Sequence, residues 1–179
     1  MLTVDDSLLM IVDVQGNLAQ MMPEKAVLFK NLQILIKSAQ ILGLPIIWLE
    51  QMPHKLGRSI EAISSLLTDM QPISKVNFSC CDEPACLQAL LRTGRRQVLI
   101  AGIEAHVCVY QSARDLVKLG YLVHVISDAV ASRIAANKPL ALTRMQDAGA
   151  VISSVEMALF EMQRRAEGEK FWQIVRLLK

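Results

Sequence analysis

The stretch Gln97-Val98-Leu99-Ile100-Ala101-Gly102-Ile103-Glu104-Ala105-His106-Val107-Cys108-Val109 decides how this chain folds. A short apolar run closes on glycine and passes into a helix-compatible run, the pattern of a strand-to-helix turn. Such turns carry side chains and backbone N–H groups to the carboxyl edge of a parallel sheet, where open α/β proteins bind ligands. Cys108 falls in the first turn of the expected helix, where the macrodipole favours a thiolate. It is a candidate nucleophile. The competing reading is a small buried hydrophobe, since free cysteine is among the most buried residue types.

Outward from this turn, apolar runs alternate with amphipathic ones. Ser7 to Asp13 is a hydrophobic run ending on an acid, suited to a central parallel strand buried on both faces. A helical pattern runs from about Glu24 to Leu42, with Leu28, Leu32, Leu35, Ile36 and Ala39 on one face. Pro23 suits its first turn and Gly43 its end. Leu44 to Leu49 reads as a second strand, Ser59 to Thr68 as a weak helix, and Ile73 to Phe78 as a short extended segment. Asp82-Glu83-Pro84 opens a helix ending near Thr93.

The Cys108 helix is expected to reach Leu119 and to stop at Gly120. Tyr121 to Ile126 makes a further strand closing on Ser127-Asp128. A helix over Pro139 to Ala148 leads to a strand over Ala150 to Ile152. Ser153 or Ser154 then caps a helix over Val155 to Gln163, with Glu156 as capping-box partner. The last segment, Phe171 to Leu178, is apolar on one face. This alternation implies a doubly wound, mostly parallel sheet with helices on both faces, a Rossmann-like three-layer α/β sandwich. No linker or internal repeat divides residues 1–179, so a single domain is expected.

The composition is 53% hydrophobic and 20% charged with a formal net charge of +2, which excludes a disordered chain. No basic run with interleaved aromatics points to nucleic acid. Apolar runs are too broken for a membrane span of about 20 residues. Asp5 and Asp6 precede the first apolar run and no basic stretch does, unlike a secretory signal. A cytoplasmic protein is expected. Cys80, Cys81, Cys86 and Cys108 show no zinc-type spacing, so reduced thiols are expected. The first three read as packing residues.

Parallel strands bring their carboxyl ends to one edge, which gathers Asp13, Glu50, the Cys108 turn and Asp128. Burial there raises the pKa of Asp13 and makes it a candidate base, unless it only satisfies loop N–H groups. Lys75 lies in a short extended run, where lysine is normally exposed. Turned inward, it would lower the thiol pKa and hold Asp13 charged. His106 is a candidate pocket residue and partner for Cys108, although residues two apart on a helix diverge. His124 alternates within an apolar strand and reads as core. His54 lies in the loop after Glu50. No histidine pairs with an acid at metal-ligand spacing.

In order and spacing, these residues resemble the isochorismatase-like cysteine hydrolase superfamily, which includes nicotinamidases and N-carbamoylsarcosine amidohydrolases. The resemblance covers nearly the whole chain and rests on Leu8-Leu-Met-Ile-Val-Asp13-Val-Gln15, Ser74-Lys75-Val-Asn-Phe-Ser79 and Ala101-Gly-Ile-Glu-Ala-His-Val-Cys108-Val. Asp115 to His124, Ser127-Asp128-Ala and Ala148 to Met157 support it. It is nearest to the divergent branch of isochorismatase domain-containing hydrolases.

The resemblance implies an Asp-Lys-Cys triad at Asp13, Lys75 and Cys108, attack of the thiol on a carbonyl carbon, and a thioester intermediate. It also implies a cis peptide at Ile103–Glu104 and an oxyanion hole from the N–H groups of Glu104 and Cys108. Gln15, Glu50 and His106 are expected to line the pocket. Nicotinamidases carry an Asp-x-His metal motif after the second strand; here the loop reads Glu50-Gln51-Met52-Pro53-His54, which argues against a metal. Isochorismatases proper act on a vinyl ether without a cysteine at this position, which argues against that reaction.

The expected function is a metal-independent cysteine hydrolase of a small amide or related C–N substrate, without cofactor. The alternative is a catalytically silent relative serving as an oligomeric interaction or redox-sensitive module. Either way a homo-oligomer is expected, a dimer or larger, with Phe171-Trp172 as candidate contact residues.

Overall fold

The computed structural model describes residues 1–179. Its first half runs β1 (Ser7–Val12), α1 (Gly16–Gln20), α2 (Lys25–Leu42), β2 (Ile46–Gln51), α3 (Pro53–Leu56), α4 (Glu61–Ser64) and β3 (Ile73–Lys75). A 3₁₀ turn (Cys80–Asp82), α5 (Pro84–Thr93), β4 (Gln97–Ile103), a π-helical turn (Ala105–Val109) and α6 (Tyr110–Lys118) follow. The chain ends with β5 (Leu122–Ala131), α7 (Asn137–Asp147), β6 (Val151–Ser153), α8 (Val155–Gln163) and α9 (Glu169–Leu178). The sheet order is β3-β2-β1-β4-β5-β6 and every pairing is parallel. The order reverses direction between β1 and β4. The crevice at that switch is where such sheets bind ligands.

Alternation along the central strands builds two separate cores. Leu9, Ile11, Leu99, Ala101 and Ile103 meet α2, α8 and α9 on one face. Leu8, Met10, Val12, Val98 and Ile100 meet α5, α6 and α7 on the other, with Cys80, Cys86 and Cys108 among them. Burial on both faces explains why these strands read as unbroken apolar runs. The helix over residues 24–42 forms as its stripe predicts, ending at Gly43 in the left-handed conformation. Pro23, however, lies before its cap, Glu24, and not in its first turn.

Three sequence expectations need correction. β5 does not close at Ile126: it runs to Ala131, with a register shift in which Ile100 pairs with Val125 but Gly102 with Val130. Asp128 therefore lies inside a strand, and its carboxylate accepts the Val155 N–H of α8 at 2.9 Å. Ser154 caps α8 through the Met157 N–H, while Glu156 is exposed and makes no reciprocal bond, because with Ser154 as cap the capping-box position falls on Met157. The expected helix over residues 59–68 shrinks to α4, because a run this short and weakly patterned holds only one turn.

Candidate active site

Four strand ends place the site. Asp13 follows β1 in the left-handed conformation at φ 53°, which aspartate tolerates better than most residues. Gly102 at φ 125° lets β4 pass close to β1. A Cβ there would lie 2.1 Å from the Val12 carbonyl oxygen, so only glycine fits beside Asp13. The peptide Ile103–Glu104 is cis. The chain then winds through the π-helical turn that carries Cys108, and regular α-helix begins only at Tyr110.

Lys75 ends β3, where its residue is 1% exposed, and the ammonium is wholly enclosed by acceptors. Its Nζ donates to Asp13 Oδ2 at 2.7 Å and Gln51 Oε1 at 2.7 Å, with the carbonyls of Asn77 and Phe78 at 3.2 and 3.4 Å. The ordinary expectation of an exposed lysine is therefore overturned, and the alternative inward reading holds. A buried ion pair is tolerable only with such supplementary bonds. Asp13 is 3% exposed, and its second oxygen, Oδ1, has no hydrogen-bond partner.

Burial pushes the Asp13 carboxyl above the usual aspartate range, the Lys75 ammonium offsetting part of the rise. Burial, then the Asp13 charge, pushes the Cys108 thiol up to about 12, with Lys75 pulling the other way. A thiolate settled by the helix macrodipole is not what the structure shows. The resting thiol keeps its proton at neutral pH, and an acceptor carboxylate stands beside it.

The other expected residues have different roles. Gln15 is fully buried, and both ends of its amide are used: Nε2 donates to the Gln51 and Gly57 carbonyls, and Oε1 accepts the Gln51 N–H at 2.6 Å. It braces β1 to β2 and does not line an open pocket. Glu50 is buried and accepts the Ser59 N–H at 2.6 Å, bordering a separate hollow with Trp48 and Arg58. His106 bonds Ser132 Oγ through Nδ1 at 2.9 Å, so its hydrogen bond goes to β5 and not to Cys108. His124 is in the core, its Nδ1 without a partner. The turn residue Glu104 accepts the Arg133 backbone N–H at 2.9 Å and its Nε at 3.0 Å. Burial opposes the ionised form of Glu104, but these bonds win and hold its carboxyl below the usual glutamate range.

Gln51, Ser132 and Arg133 were missed by sequence reasoning. Gln51 had a signal, a polar residue closing a buried strand on the same edge as Glu50. Ser132 and Arg133 had none, because β5 was read as ending before them. No group of three or more His, Cys, Asp or Glu residues has a geometry that could hold a metal ion. No helix is long and apolar enough to cross a membrane.

Comparison with known proteins bears directly on this arrangement. Residues 7–157 match the isochorismatase domain. The secreted isochorismatase effector Isc1 of Phytophthora sojae is 34% identical over 179 residues, covering 97% of this chain and 84% of that one. The structure of MAR1 ribonuclease from Caenorhabditis elegans superposes with a TM-score of 0.91 at 31% identity, over 99% of this chain and 91% of that one. The Escherichia coli YcaC gene product, described as an octameric hydrolase of unknown specificity, shares the fold at a TM-score of 0.93 and 23% identity, over 98% and 89% of the two chains. With a shared fold in these solved structures and a domain match that begins at β1 and ends in α8, the chain belongs to the isochorismatase-domain family.

Proposed function

We propose that this protein hydrolyses a small amide or related C–N bond with Cys108 as nucleophile, Asp13 as proton acceptor and Lys75 as the fixed counter-charge. The observation that supports it is the buried Asp13–Lys75 pair at 2.7 Å, whose two charges both act on the Cys108 thiol. A thiol near 12 is not ionised at rest. Its proton therefore passes to Asp13 as the sulfur–carbon bond forms, when the charge moves to the carbonyl oxygen. The N–H groups of Glu104 and Cys108 are the proposed donors to that oxygen. The C–N bond then breaks, the amine leaves with the proton from Asp13, and a thioester remains. Water attacks the thioester, Asp13 takes its proton, and the released thiolate is reprotonated. The scheme uses no metal or cofactor.

Four free thiols suit a reducing, cytosolic setting. The octameric state of the YcaC gene product supports a homo-oligomer here as well. A nuclease reading is raised by the name of the C. elegans protein, but nucleic acid needs a continuous basic surface. Here the exposed Lys55, Arg58 and Arg133 on the carboxyl edge alternate with exposed Glu24 and half-buried Glu83.

The test is acylation by p-nitrophenyl acetate, read by mass spectrometry, alongside ammonia release from a panel of small amides. The expected result is one acetyl adduct on Cys108, slowed by Asp13→Asn, and amide turnover abolished by Cys108→Ala. Absence of that adduct, or an adduct indifferent to Asp13→Asn, removes the scheme. It would leave the alternative of a silent interaction module standing.

A further inference from the structure

The reacting groups fix the amide end of a substrate but not the rest of it. A cavity of about 190 Å³ opens on the same sheet edge, between the start of α2 and the loop joining β5 to α7. Val27 and Leu28 on one side and Val130 and Ala131 on the other give it apolar walls. Sheet register ties it to the site: Val12 pairs with Gly102, and Gly102 with Val130. Adjacent strands lie about 4.8 Å apart, so the β5 wall stands roughly 10 Å from the strand that carries Asp13. Ser132 lines the cavity and also bonds His106, two residues before Cys108. A ligand seated there touches the loop that holds the nucleophile turn.

The polar lining is uneven. Asp128 is engaged with the Val155 N–H. Glu24 is exposed, so water and salt screen its charge. Lys138 is half-buried and forms no ion pair. An unpartnered ammonium against apolar walls is the group that gains most from an incoming carboxylate, through charge-assisted hydrogen bonds.

We propose that this cavity takes the carboxylate-bearing aliphatic arm of the substrate, with Lys138 as its anchor, and that the substrate class is the monoamide of a short dicarboxylic acid. The amide end rests on the hydrolase reading above; the carboxylate end does not. The five-carbon member of that class, glutaric acid monoamide, is the form taken for the test.

Two measurements on the full chain test this separately. Glutarate, which has no amide to cleave, is titrated calorimetrically into the wild-type protein, Lys138→Ala, Lys138→Arg and Lys55→Ala, the last an exposed lysine on the same edge. Binding is expected to weaken about tenfold or more in Lys138→Ala, to be restored in part by Lys138→Arg, and to be unchanged in Lys55→Ala. Glu24→Gln is expected to hold or tighten it. No glutarate binding, equal binding in Lys138→Ala, or weakening by Glu24→Gln overturns the assignment. Turnover of glutaric acid monoamide is then compared with that of neutral valeramide. Lys138→Ala is expected to raise KM for the acid alone and leave kcat in place. If glutarate binds through Lys138 and neither amide is cleaved, the pocket stands and the hydrolase reading falls.

Discussion

Two regions of this protein hold a buried thiol pushed well above the ordinary range, and only one of them has the means to release its proton. Cys108 and Cys80 are both pushed up to about 12. At Cys108 the main cause is burial, followed by the Asp13 charge, with the Lys75 ammonium as counterweight. At Cys80 the neighbours are other thiols, Cys81 pulling down and Cys86 pushing up, with burial added and no carboxylate acting on it. A raised thiol is therefore not the mark of the nucleophile. The mark is a proton acceptor and a fixed cation within the same enclosure, and neither acts on Cys80.

The largest effect should come from exchanging the two thiols for alanine in turn. Cys108→Ala is expected to lower kcat by about a thousandfold or more, as loss of a covalent nucleophile does. Cys80→Ala should leave kcat within about threefold and lower the urea midpoint, because it opens a small void in a packed core. Equal losses in both variants would erase the distinction drawn between the regions.

Removing the cation comes next. Lys75→Met keeps the volume but leaves the Asp13 carboxylate buried without its counter-charge. Lys75 lowers both the Asp13 and the Cys108 values, so its removal raises both. The acid limb of the kcat/KM profile, where Asp13 must lose its proton to act as acceptor, should move to higher pH, and kcat at neutral pH should fall on the order of a hundredfold. A lower rate with an unmoved pH profile would mean that Lys75 only supports the fold. Gln51→Leu is a milder version of the same experiment. It removes one of four acceptors around the ammonium and should reduce kcat by about tenfold or less.

How much of this was legible in the chain follows from where each signal resides. The β1, β4 and β5 strands are buried on both faces, so their apolar runs announce them, and the parallel order follows from the helices between them. Asp13 and Cys108 stand at strand ends and were visible for that reason. Lys75 was not readable from local pattern, since a three-residue edge strand looks like a loop and lysine is normally outside; the family resemblance supplied it. Arg133 was hidden by the register shift in β5. A shift of pairing between Ile100–Val125 and Gly102–Val130 depends on how two strands meet, and no single-strand periodicity carries it. Gln15 misled in the opposite direction, because a polar residue beside a catalytic candidate is as easily a brace as a ligand contact.

The smallest expected effect separates the two regions by how each is tied down. The Cys80 loop is held by its own N–H, which donates to Ser112 Oγ at 2.9 Å, a bond with no titrating partner. The Cys108 turn is held by the Glu104 carboxylate on Arg133. Because Arg133 keeps Glu104 below its ordinary value of 4.5, that tie stabilises the fold fully above that pH. It is lost as pH falls through the depressed value, where Glu104 takes up a proton. Asp13 has the opposite sign: its raised carboxyl favours the fold at low pH, and that gain is lost as pH rises through its folded value. Urea denaturation of wild type, Arg133→Ala and Ser112→Ala across the acid range should resolve the two ties. The deficit of Arg133→Ala should shrink toward zero as the solution is acidified, while that of Ser112→Ala stays level. The Arg133 effect should be modest at any pH, since half of its side chain is in water and exposed ion pairs contribute little. A deficit of Arg133→Ala that did not fade in acid would show that the arginine acts by packing, and the nucleophile turn would then be held no differently from the thiol cluster.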